Sequence, residues 1–517
     1  MAESKAVPVR HWFALGGVML GAFMAVLDIQ ITNASLNNIA GALGSSVDEG
    51  SWISTAYLVA EIVAIGISGI FADIFSTKRY LLVCSICFIV FSILCAFAQN
   101  LSMMIIFRAL QGLTGGALIP LAFNVNLKLL PIEKRPIGMA VFGMTATMGP
   151  ALGPAIGGYL TDHYGWQWIF FVNAPPGLLM LALIWVFLPR DEMHLEKLHG
   201  FDWWGVFCMG VGLGSLEYVL EEGERKDWFG NPIIDKCTVL ACIFIPLFLL
   251  RELTAKKPFL DFKVFLNRNF SASCVVMVAL GAGLYGSIYL VPLYLGQFQG
   301  YSPTLIGTTL MWVGLPQLVI IPFLPLLQKL LDVRVVIGIG LAIFSGSCYI
   351  NAYMDPDFSG PQLAMTNLIR ALGQPLTLIP LLSVATATIP KIQSGSASAI
   401  FNMLRNIGGS VGIAMLSTAT TWRENLHSQR IVESVTATSP YLQERLDNSA
   451  SHFEAAGHSS ADSAHLALLQ LGNVVKRQAA IQAYGDCFWL LAVVLFFSGF
   501  ALFLLPKTKP GGGHAAA

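Results

Sequence analysis

Arg108-Ala109-Leu110-Gln111-Gly112-Leu113-Thr114-Gly115-Gly116 places an arginine inside a run that otherwise reads as a membrane span. Inserting a guanidinium there costs roughly 2.5–3.5 kcal/mol. A chain that keeps such a charge needs a buried partner or a water-filled path for it. One span later comes Gly149-Pro150-Ala151-Leu152-Gly153-Pro154-Ala155-Ile156-Gly157-Gly158. Together the two stretches point to an all-α integral membrane protein that moves solutes by handling protons.

Composition agrees with a membrane protein. Of 517 residues, 55% are hydrophobic and 12% charged, about half the charged share of a soluble globular chain. Formal net charge is zero, so bulk charge suggests no nucleic-acid partner. All nine cysteines lie in or at the ends of apolar runs and imply no disulfide framework. Cys84-x-x-Cys87 has no acid or histidine near it in its span and reads as apolar packing, so no metal site is expected. The nine histidines fall outside the apolar runs, which disfavours a histidine relay. No Walker motif is present, so a proton gradient rather than ATP or any cofactor is the expected driving force.

A helix needs about 20 apolar residues to cross a bilayer. Fourteen such runs are read, near 12–34, 51–73, 80–98, 102–127, 137–158, 169–188, 203–221, 233–252, 270–295, 303–327, 334–354, 361–387, 394–418 and 485–505. An even number puts both termini on one side. One set of loops carries Lys78, Arg79, Lys128, Lys134, Arg135, Arg190, Lys197, Arg251, Lys256, Lys257, Lys263, Arg268, Lys329, Arg334 and Lys391. The termini add Lys5, Arg10, Lys507 and Lys509, while the opposite short loops favour acids such as Glu221, Glu222, Glu224 and Asp227. Both termini are therefore expected in the cytoplasm. The polar insertion at about 419–484 then lies outside, either as a solvated cap or as a docking surface for a partner. Its Leu466–Ala483 stretch has helical periodicity.

Ile106-Phe107-Arg108-Ala109-Leu110 in span 4 resembles Leu368-Ile369-Arg370-Ala371-Leu372 in span 12, and both continue to an Ile-Pro step. This weak repeat suggests a duplicated transporter half. The expected organisation is a six-helix bundle over 12–188, two additional spans over 203–252 and a second six-helix bundle over 270–505. Binding sites in such folds lie between the halves.

Several side chains carry candidate chemistry. Asp28 in the outer third of span 1 matches Arg108 in depth, so the two can pair; the alternatives are proton coupling and a static structural pair. Arg108, Gln111, Gly112 and Gly115 share one helix face. Glu61 sits near the middle of span 2, where desolvation penalises a charged carboxylate. It is expected to line a cavity, as proton carrier or substrate contact. Gln111, Arg370 and Arg405 are assigned to the same cavity, although Arg405 could instead anchor the following Gly408-Gly409. Gly149, Gly153 and Gly157 recur every four residues as a flat face, and Pro150 and Pro154 bend the span. With Gly158 they suggest a seal between the halves, or generic helix packing. Gly69, Asp73, Lys78 and Arg79 mark the inner loop between spans 2 and 3, with Asp73 expected to accept from helix-end or loop donors.

These motifs resemble those of the major facilitator superfamily. Gly69–Arg79 is similar to its loop signature but departs at Phe71 and at Ser76, where the family usually has Leu and Gly. Arg108-x-x-Gln111-Gly112 resembles its proton-coupling motif, and Gly149 through Gly158 its antiporter motif. Leu27-Asp28-x-x-Ile31-x-Asn33 resembles span 1 of the fourteen-span drug:proton antiporters, with Gln30 in place of Thr. Trp166–Asn173, Arg225–Phe229 and Asp261–Phe270 are similar to EmrB-type multidrug permeases.

The resemblance implies a major facilitator fold and an exporter of amphipathic compounds in the inner membrane of a Gram-negative bacterium. It also implies work with a periplasmic adaptor and a TolC-like outer-membrane channel. Other readings stay open: export of an endogenous metabolite such as a siderophore or fatty acid, import with protons, or a non-transporting sensor. The span 5 Gly-Pro pattern argues against import. The acids Asp28 and Glu61 argue against a sensor, which has no evident need for both.

Overall fold

A computed structural model describes residues 7–505 except 132–133, 200, 256–257, 388, 391–392 and 435–438. Lys5, Lys256, Lys257, Lys391, Lys507 and Lys509, and part of the polar insertion, lie outside the described residues. Among the described residues, fourteen helices are long and apolar enough to cross a membrane. Spans 1–7 are Val9–Ala34, Trp52–Phe75, Thr77–Ala96, Leu101–Leu129, Arg135–Tyr164, Trp168–Phe187 and Trp203–Glu222. Spans 8–14 are Pro232–Thr254, Arg268–Phe298, Pro303–Gln328, Val333–Asn351, Gly360–Ala387, Ser394–Glu433 and Ser460–Leu504. The fold is all-α, and an even number of crossings puts the first and last spans' outer ends on one side, here called the termini end.

Helices dominate because hydrocarbon offers no partner to a free backbone group. Polar side chains start several of them. Asn100 Oδ1 accepts from the Met103 N–H at 2.9 Å, and Asp202 Oδ1 from the Gly205 N–H at 3.0 Å. Asn267 and Asp332 cap spans 9 and 11 in the same way. The polar insertion is itself helical. Spans 13 and 14 run well past their apolar cores, and Pro440–Ala455 packs against the extension of span 14.

Glycines set the closest contacts. A Cβ at Gly112 would meet the Tyr57 backbone, and one at Gly116 the Glu61 backbone, so spans 2 and 4 pack backbone to backbone. Span 5 is packed on two sides. Gly149, Gly153 and Gly157 lie against Val26, Gln30 and Ile31 of span 1. The opposite side, with Ala151, Ala155 and Gly158, meets Gly314, Gly307 and Pro303 of span 10. Span 5 is thus packed between the two halves, with its glycine row on span 1 and an alanine row, with Gly158, on span 10. Positions two apart on a helix point about 200° apart, so the two rows serve different neighbours.

Candidate functional site

Asp28 and Arg108 form a buried ion pair, Nη1 to Oδ2 2.5 Å, with side chains 1% and 0% exposed. Span 4 brings Gln111 one turn further along the same face. Its Oε1 accepts from Arg108 Nη1 at 2.8 Å, and its Nε2 donates to Asp28 Oδ1 at 3.1 Å. Asn173, at the start of the second part of span 6, donates to the same oxygen at 2.6 Å. Arg108 Nε donates to the Ile53 carbonyl at 3.2 Å, and the guanidinium lies 4.3 Å from the Tyr57 ring centroid. The carboxylate is thus held by donors from spans 4 and 6, and neutralised by one cation. Removing either partner would leave the other charge buried and uncompensated.

A cavity opens beside this cluster on span 1. Its outer chamber, about 480 Å³, is lined by Gln30, Asn33, Pro154, Tyr289 and Ile306 among others, and reaches Ser51 and Glu224 at the end away from the termini. A smaller inner chamber of about 60 Å³ holds Glu61, Glu217, Asn406 and Ser410. Gln30, Asn33, Glu221, Tyr285 and Ile413 line both. Glu61 is 2% exposed and faces Arg405 and Asn406 of span 13.

Other assignments move. Gln111 is fully buried in the Asp28–Arg108 cluster rather than in the cavity wall, because its helix face points at span 1. Arg370 is also fully buried, beside Cys348, and lines neither chamber. Its three guanidinium nitrogens have no partner among the described residues. Glu217 was not singled out in the sequence. An acid inside the apolar run 203–221 is the same signal that marked Glu61. Glu221 and Glu222, read as loop acids, belong to the last turn of span 7, where the Thr55 hydroxyl donates to Glu222 at 3.1 Å.

At the termini end the spans close on one another. Gly69 packs on the backbone of Gly395, Ser394 Oγ donates to Asn124 Oδ1 at 3.1 Å, and Ser398 Oγ donates to the Pro120 carbonyl at 2.9 Å. Asp73 accepts from a loop donor, the Lys197 ammonium between spans 6 and 7, and the start of span 3 is capped by another acid. That acid is Asp191, which accepts from Ser76 Oγ at 2.5 Å and from the Thr77 and Lys78 N–H groups at 2.8 and 3.3 Å. Lys78 Nζ donates to the Trp185 and Leu188 carbonyls, and Arg79 reaches Met193. Ser76 has φ 72°, the region that favours glycine. Its hydroxyl bond to Asp191 offsets part of that strain.

The profile of the Major Facilitator Superfamily matches residues 18–413. The chain is 32% identical to the colistin resistance protein EmrB of Acinetobacter baumannii, over 98% of this chain and 99% of that one. It is 30% identical to the multidrug export protein EmrB of Escherichia coli K12, over 96% of each. The fatty acid resistance protein FarB of Neisseria gonorrhoeae is 29% identical over 96% of each chain. In fold, the chain resembles the human organic anion transporter MFSD10, with TM-score 0.58 at 14% identity over 95% of this chain and 99% of that one.

Proposed function

For a chain that belongs to the major facilitator superfamily, as an EmrB-type multidrug efflux permease and so a multi-pass transporter rather than an enzyme, we propose proton-coupled export of amphipathic compounds by alternating access. The observation that carries this reading is that Arg108 of span 4 pairs with Asp28 of span 1, the span whose Gln30 and Asn33 line the cavity. Protonation of Asp28 weakens its hold on Arg108 and frees span 1 to shift its cavity-lining residues. Substrate and proton thereby compete through one helix. With closed contacts at the termini end and the cavity reaching the other end, the conformation fits an outward-facing state.

The positive-inside bias supports placing both termini in the cytoplasm of an inner membrane. The helical insertion then projects into the periplasm, where it would meet an adaptor leading to a TolC-like channel. Moving one charge inward through about 150 mV releases roughly 3.5 kcal/mol. No cofactor is needed in this scheme. A second reading, export of a fatty acid or another endogenous amphiphile, is favoured by the likeness to FarB.

The test is transport by the full-length protein in proteoliposomes, over a panel of cationic, neutral and fatty-acid compounds, with and without a proton gradient. Gradient-dependent efflux and substrate-induced proton release are expected. Efflux unchanged after the gradient is collapsed would overturn the coupling. Movement of fatty acids alone would select the second reading.

A further inference from the structure

The first of the two additional spans, span 7, contributes to the cavity itself. Span 7 places Glu217 in the inner chamber opposite Glu61, and Glu221 at the join of the two chambers. Glu217 is 3% exposed. One of its oxygens accepts from Ser410 Oγ at 2.6 Å, and Oε2 has no partner among the described residues. Glu61 has Arg405 and Asn406 beside it, whereas Glu217 makes no ion pair among the described residues. A carboxylate buried in this way is costly until a cation or a proton reaches it.

We propose that Glu217 and Glu61 form a cation-binding subsite for the head group of an amphipathic substrate, with the apolar body held in the outer chamber. The subsite rests on the transport reading above and deepens it. Size supports the division. The inner chamber, about 60 Å³, suits a compact head such as an ammonium or amidinium, and the outer one, about 480 Å³, suits a larger body. The outer walls include Ile288, Leu293, Ile306 and Ile413, which accept an apolar group without fixing its shape. Ser410 orients one Glu217 oxygen and leaves the other directed to the ligand. Span 7 is therefore part of the selectivity apparatus and not an appendage.

The probes are a naphthyl amidinium ion and the neutral naphthyl amide of the same skeleton. Binding to the purified full-length protein is measured without a gradient, and transport is measured separately in proteoliposomes. The wild type should bind the amidinium more tightly than the amide. Glu217→Gln should weaken amidinium binding about tenfold, the effect of one charge-assisted contact, and leave the amide within about twofold. Glu217→Asp should recover part of the loss, which separates a charge effect from misfolding. Equal losses for both probes, or amidinium binding unchanged in Glu217→Gln, would overturn the subsite. Glu217-dependent binding without proton-driven transport would keep the subsite and overturn the transport reading instead.

Discussion

Gly153 of span 5 lies against Gln30 of span 1 with no room for a side chain between them. Gln30 lines both chambers and stands two residues after Asp28. The glycine row of span 5 therefore bears on the helix that carries both the buried acid and part of the cavity wall. Gly153→Leu should push span 1 away, with an overpacking cost of about 1–3 kcal/mol or more. Coupled efflux should fall and proton leak rise, read with a pH-sensitive dye inside proteoliposomes. Gly16→Ala on the same helix meets open space and serves as a control. Normal efflux and leak in Gly153→Leu would remove the link between this motif and coupling.

Asp28→Asn should abolish proton-coupled exchange while the protein still inserts, because the amide cannot gain and lose the proton. Arg108→Ala should be worse. It strands the Asp28 carboxylate in a buried site, a loss of about 3–5 kcal/mol when one partner of a buried pair is removed. Arg108→Lys should recover little. Arg108 donates through both Nε and Nη1, to Ile53, Asp28 and Gln111, and an ammonium lacks that planar fork. Thermal melting and drug–proton exchange of purified variants check all three. A fully active lysine variant would reduce Arg108 to plain charge balance.

Asp191 lies outside the spans and gives a pH signature. Partial burial pushes its carboxyl up, but hydrogen bonds from Ser76, Thr77 and Lys78 outweigh this and hold it below the usual range. A depressed folded value means that its stabilisation is present above the ordinary carboxylate value of about 3.9 and is lost as pH falls through the lower folded value. Asp191→Ala should lower the melting temperature at pH 7. The difference from wild type should shrink below pH of about 4. A constant difference from pH 7 to 3 would show that the side chain acts without its charge.

Deleting about residues 430–475 should leave proteoliposome transport intact and reduce resistance in cells. The deletion spares the clamp at the base of the insertion, where Asp486 of span 14 accepts from Arg423 Nε of span 13 at 2.6 Å and lies 2.6 Å from His427 Nε2. Among the described residues, the removed helix Pro440–Ala455 contributes no buried side chain. Full cellular resistance after deletion would argue against adaptor docking. Lost transport in proteoliposomes would make the insertion a working part of the permease.

The sequence alone determined the class, the number of spans and where they lie. Burial in hydrocarbon demands long apolar helices, so span limits are written in composition, and each was legible to within two turns apart from the extensions flanking the insertion. The matched depths of Asp28 and Arg108 were legible for the same reason: position along a membrane helix is a depth. What a side chain faces at that depth was decided by tertiary packing. Gln111 and Arg370 have the residue types of a cavity wall, yet helix rotation turns both into buried packing. The glycine row of span 5 faces span 1 and not the other half, since only the docked neighbours say which face is used. Glu217 reached the cavity because span 7 packs beside spans 2 and 13. Asp191 caps span 3 because the loop after span 6 folds back over the start of that helix, a contact that no local spacing records. A linear chain records depth and polarity, whereas rotation and neighbourhood follow from the sum of many weak contacts that exist only once the helices are packed.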